Sequence, residues 1–165
     1  VLIDRTNKFS KSKVIMMCGP AGSGKSAYAR KLEKEGRIIL SYDDESFNRG
    51  ITDHPLPENI AQEIKDVLDR KLISLIEMNA DIVLDYSFWS IAMRSEYISL
   101  LSEYGIKPII CYIKVPKETA MDRIRKRSGN HKNEIRLTEE MASLYFDHFQ
   151  EPSEDEGEII VIKGY

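Results

Sequence analysis

A glycine-rich octapeptide, Gly19-Pro20-Ala21-Gly22-Ser23-Gly24-Lys25-Ser26, fits the pattern G-x-x-x-x-G-K-[ST] at every fixed position. Such a loop is suited to holding phosphate. Its glycines let the backbone wrap close around an anion, so that successive N–H groups point into one concavity. A helix that starts at the loop adds its own N-terminal N–H groups and the positive end of its dipole. Lys25 can reach the β- and γ-phosphates, and the Ser26 hydroxyl can ligate Mg²⁺. Gly19 to Ser26, with Ala27 behind them, are therefore the expected nucleoside triphosphate-binding residues.

Carboxylates recur at two further points, Asp43-Asp44 and Asp85. Phosphoryl transfer to a hydroxyl needs one carboxylate to take the acceptor's proton and another to help hold the metal. Asp43 is the expected general base, with the choice between it and Asp44 left open, and Asp85 is the expected metal partner of Ser26. Arg123 and Arg127 are four apart and share one face of a helix, while Arg125 points elsewhere. Arginines there would neutralise charge on the transferring group and belong to a lid around residues 123–137. Arg136 is a weaker candidate of the same kind. Phe88, Trp89 and Arg94 follow Asp85 closely and are expected to bound an acceptor pocket together with Asp43 and Asp44. His54, His131 and His148 have no partner at metal spacing.

These groups need elements to place them. An apolar run, Val14–Cys18, precedes the loop, and Ala27, Ala29 and Leu32 recur behind it at helical spacing to about Glu35, where Gly36 stops the helix. Arg37–Ser41 reads as a second strand that delivers Asp43 and Asp44, and residues 46–57 read as a surface loop. A long amphipathic helix runs from about Pro57 to Asn79. Asp81–Leu84 is a third strand that ends in Asp85, followed by a helix over about residues 89–104. Ile109–Val115 is a fourth strand. Pro116 starts a basic helix, and residues 128–136 form a polar loop. Thr138 caps a helix through about Phe149, an acidic turn follows, and Ile159–Ile162 is a fifth strand. Strands alternating with helices predict a parallel α/β sheet with helices on both faces. In such sheets ligands bind outside the C-terminal strand ends, where the loop, Asp43 and Asp85 all fall.

At 165 residues the chain is read as one domain with a core at about 13–163. Its 24 Lys+Arg against 27 Asp+Glu give a net charge of −3, which removes any bulk electrostatic case for nucleic acid. Cys18 and Cys111 lie in apolar runs and are expected to be buried, which leaves zinc without ligands. No apolar run is long enough to span a membrane and no signal peptide is seen, so the expected compartment is the cytoplasm.

With these residues in hand, the chain resembles the small AAA-type ATP-binding proteins of the P-loop kinase group. Their relatives include polynucleotide kinase, chloramphenicol phosphotransferase, zeta toxins, and adenylate and shikimate kinases. The resemblance rests on GPAGSGKS, SYDDESF, LDYSFWSIAMR, VPKETAMDRIRKR and a late TEEM…F…FQEP segment, and covers residues 13–163. It implies a three-layer α/β/α P-loop fold with sheet order 2-3-1-4-5. Gly19 to Ser26 match the Walker A element, Asp43 the general base, Arg127 the lid arginine, and Asp85 the third-strand acid. Polynucleotide kinases carry an arginine after their paired acids, and here Asp43-Asp44-Glu45-Ser46 has none, which disfavours a 5′-hydroxyl nucleic acid.

The expected activity is an ATP- and Mg²⁺-dependent kinase acting on a small-molecule hydroxyl. The alternatives are a polynucleotide 5′-hydroxyl kinase and a nucleotide-dependent switch without phosphoryl transfer. The acceptor, the choice of ATP over GTP and the oligomeric state stay open.

Overall fold

A computed structural model describes residues 10–51, 56–127 and 138–163. Five strands, β1 (Val14–Cys18), β2 (Ile38–Ser41), β3 (Ile82–Asp85), β4 (Ile109–Lys114) and β5 (Glu158–Lys163), form one sheet in the order β2-β3-β1-β4-β5. Every neighbouring pair is parallel. The fold is thus the expected three-layer α/β sandwich.

The two faces of the sheet sort the strand residues by alternation. Met16, Ile82 and Leu84 turn to one side, where α3 (Glu58–Glu77) and α4 (Ile91–Ser102) lie over them. Ile64, Leu68, Leu72 and Ile76, one residue per turn, make the buried stripe of α3. Met17, Val83, Cys111 and Ile113 turn to the other side, against Ala29 and Leu32 of α1 (Lys25–Lys34). With both faces covered, the inner strands read as continuous apolar runs. The outer strand β5 leaves Ile160 and Val161 about half exposed.

Most element bounds fall within two residues of the sequence reading, the usual scatter at helix and strand ends. One element differs. Tyr42–Asn48 is a helix, α2, where the sequence suggested acids at a strand end running into a loop. Ser41 caps it by accepting the Asp44 N–H at 3.2 Å, and Asp43, Asp44 and Glu45 in its first turn suit the dipole. Gly50, at φ 75°, closes it. The remaining helices are α5 (Lys117–Arg127) and α6 (Glu139–His148), the latter capped by Thr138 as expected. Among the described residues no helix is long and apolar enough to cross a membrane.

Candidate active site

Strand β1 ends at Cys18 and the chain turns at once into the loop. Gly22 and Gly24 have φ of 83° and 94°, a region that other residues enter at a cost. Helix α1 begins at Lys25 with Gly24 as its cap, and neither a side-chain cap bond nor an acidic first-turn residue serves its leading N–H groups. The Ser23 hydroxyl is wholly buried inside the loop and has no hydrogen-bond partner among the described residues. A glycine-rich turn leading into a helix N-terminus without a side-chain cap, with a buried hydroxyl beside it, suits an anion with many acceptor oxygens, and a polyphosphate is such an anion.

Asp85 stands at the end of β3, adjacent to β1, and is buried. It pairs with the Lys25 ammonium, and its other oxygen accepts the Ser26 hydroxyl at 3.0 Å. Three residues that the sequence marked for triphosphate and metal are therefore in mutual contact. No group of three or more His, Cys, Asp or Glu that could hold a metal occurs among the described residues. One hydroxyl and one carboxylate suit Mg²⁺, which keeps waters and takes its remaining ligands from phosphate oxygens.

Ser41 pairs in register with Asp85 across β2 and β3, so the first turn of α2 starts beside the same strand ends. There Asp43 is exposed, while both oxygens of Asp44 lie 2.8 Å from the Arg30 Nη2 of α1. From the other side, α5 packs against the loop. Arg123 Nη1 donates to the Gly22 carbonyl at 3.3 Å. Arg125 points away and pairs with Glu139 and Asp122. The Arg127 side chain, Arg136 and residues 128–137 of the expected lid lie outside the described residues, as do His54 and His131.

The sequence profile of the AAA domain family matches residues 14–152. The chain belongs to the AAA domain family. No curated protein matches it in sequence. Among solved structures, this AAA domain is similar to a candidate kinase from Chloroflexus aurantiacus J-10-fl, at 14% identity and TM-score 0.74, covering 93% of this chain and 88% of that one. It is also similar to a chain of the Pnkp1/Rnl/Hen1 RNA repair complex, at 17% identity and TM-score 0.71, covering 83% of this chain but only 43% of that one. Kti12 of Chaetomium thermophilum, solved with ADP-AlF3, aligns at 12% identity and TM-score 0.66 over 91% of this chain and 88% of its own.

Two residues expected at an acceptor pocket of this AAA domain sit elsewhere. Phe88 is fully buried and packs on Tyr86 and Tyr97, because Ser87 and Phe88 are both left-handed (φ 66° and 49°) and the turn directs that ring inward. Arg94 is also fully buried, turned to Glu156 instead of an acceptor. Trp89, by contrast, is 53% exposed. Arg30, which the sequence reading passed over, grips Asp44. Its signal was a basic residue on the outer face of the helix behind the loop.

The tightest approach in the loop is at Gly22. A Cβ there would lie 2.4 Å from the Ala120 carbonyl oxygen, and the residue is left-handed besides. Gly22→Ala must push α5 off the loop or deform the loop itself. ATP affinity measured calorimetrically is expected to fall by about tenfold or more, a cost of about 1.4 kcal/mol at the least. Unchanged affinity would mean that the α5 contact is irrelevant to the loop.

Proposed function

We propose that this protein is an ATP- and Mg²⁺-dependent kinase that moves the γ-phosphoryl group of ATP to a hydroxyl of a small molecule. The observation that carries the reading is the buried contact of Lys25 and Ser26 with Asp85 beneath an uncapped glycine-rich loop. Bound Mg–ATP supplies the phosphoryl group and the charge neutralisation that makes it transferable. The chain's own residues do the rest. The backbone from Gly19 to Ala27 and the Lys25 ammonium hold phosphate, while Ser26 and Asp85 hold the ion. Asp43 takes the acceptor's hydroxyl proton. Asp44, gripped by Arg30, fixes α2 on α1 instead. Arg123, with Arg127 one turn on, balances negative charge over the loop. Trp89 offers an exposed apolar wall for the acceptor, and Phe88 and Arg94 leave the substrate set.

The similarity to Kti12 solved with ADP-AlF3 and to a gluconokinase from Sinorhizobium meliloti, at TM-score 0.59, 15% identity and coverage of 94% of this chain and 83% of that one, supports nucleotide chemistry on this fold. The RNA repair neighbour favours a second reading, a 5′-hydroxyl polynucleotide acceptor. Against it, basic residues near α2 are engaged by acids: Lys71 with Glu45, Arg49 with Glu63, and Lys65 with Asp69 and Glu96.

The test is ATP turnover followed by mass spectrometry over a panel of nucleosides, sugars, aminoglycosides, chloramphenicol-like alcohols and 5′-hydroxyl oligonucleotides, with Lys25→Ala as the blank. A small molecule heavier by one phosphoryl group, absent from the blank, is expected. A phosphorylated oligonucleotide would favour the second reading. ATP binding without transfer to any acceptor would favour a nucleotide-dependent switch.

A further inference from the structure

Arg94 has no part in the proposed chemistry, yet its guanidinium is wholly buried and joins three segments. Its Nε donates to Glu156 Oε1 at 2.7 Å, and Nη2 reaches Glu156 Oε2 at 3.4 Å. Its Nη1 donates to the Phe88 carbonyl at 2.6 Å and lies 3.8 Å from Cys18 Sγ. Burying a guanidinium is costly and persists only where its N–H groups find partners. What it grips is a strained turn. Ser87 and Phe88 are consecutive left-handed residues, each held against its own preference.

That turn touches the phosphate loop. The Ser87 carbonyl accepts the N–H of Gly19, the first loop residue, at 3.0 Å. On the far side, Glu156 Oε2 accepts the Ser153 N–H at 2.8 Å, so the carboxylate is itself fixed. The same segment is fastened again by Gln150, whose N–H donates to the Trp89 carbonyl and whose Oε1 accepts the Ile91 N–H, both at 2.8 Å. The segment between α6 and β5 is thus bound to the segment after β3, with Arg94 at the centre.

We propose that Arg94 is a positioning residue for the phosphate loop: braced by Glu156, it holds the Ser87–Phe88 turn in the conformation whose Ser87 carbonyl fixes the Gly19 N–H. The consequence for ATP rests on the nucleotide-binding reading above, and the consequence for the Gly19 amide does not.

The test is the double variant Arg94→Met/Glu156→Gln, which removes both charges and leaves neither buried alone. Hydrogen exchange at the Gly19 amide of nucleotide-free protein is expected to quicken by about tenfold or more, while core amides such as Val83 follow global stability only. ATP affinity is expected to weaken by about tenfold. Adding Ser87→Gly, which takes a positive φ without strain, should recover part of both losses. A purely packing role predicts no such recovery. Unchanged Gly19 exchange in the folded double variant would overturn the proposal. If the unaltered protein binds no ATP, the nucleotide reading fails and Gly19 exchange alone decides this one. Should the double variant not fold, Arg94→Lys, which keeps the charge but loses the planar fork, is read in the same way.

Discussion

Asp43→Asn is expected to lower phosphoryl transfer by about 10²–10⁴-fold while ATP affinity stays within about threefold. The amide has the shape of the carboxylate but cannot take a proton from an acceptor hydroxyl. Asp43 lies in the first turn of α2, outside the phosphate loop, and the cap of that helix is made by Ser41 with the Asp44 N–H. The helix therefore survives the change, losing about 0.3–1 kcal/mol of dipole stabilisation at most. Asp44→Asn makes the useful contrast. It weakens the pairing of Asp44 with Arg30 Nη2 and loosens α2 on α1, so a smaller loss, about tenfold, is expected there. Single-turnover rates and calorimetric ATP titrations on both variants separate the roles. Full transfer by Asp43→Asn would remove it as the base.

Lys25→Met is expected to abolish measurable turnover and to weaken ATP binding by about 100-fold or more. It carries a second effect. The Lys25 ammonium and the Asp85 carboxylate pair with each other, at 8% and 7% exposure. Removing one partner leaves the other buried without its ion pair, the Ser26 hydroxyl still bonded to Asp85, so a stability loss of about 3–5 kcal/mol is expected in urea denaturation. Lys25→Met/Asp85→Asn should regain most of that stability and none of the binding. If the double variant also binds ATP normally, Lys25 is not a phosphate ligand.

Much of this was legible in the sequence, and the residues show why. The stripe Ile64, Leu68, Leu72, Ile76 announces its helix by spacing alone, and the loop from Gly19 to Ser26 announces its own geometry. The neighbourhood of Lys25, Ser26 and Asp85 follows from strand ends in a parallel sheet. What was missed depends on partners distant in sequence or on local backbone sign. The partner of Arg94 lies 62 residues away, and no periodicity reports a contact of that kind. Phe88 and Trp89 are adjacent aromatics, and only the left-handed turn decides which ring goes inward. Helix α2 carries a local signal, Ser41 three residues before Asp44 with acids in the first turn, but seven residues are too few to show a helical apolar period.

Cys18, the last residue before the phosphate loop, donates its thiol to the Phe88 carbonyl at 3.4 Å. Burial pushes that thiol up to about 12, against the opposing pull of the nearby Arg94 charge. Peroxides and alkylating agents attack the thiolate, the form that this burial disfavours. A sulfur placed one residue from a nucleotide site would ordinarily invite inactivation by oxidants. Here burial works against the thiolate and shields the sulfur, so the loop gains a packing atom at little chemical exposure.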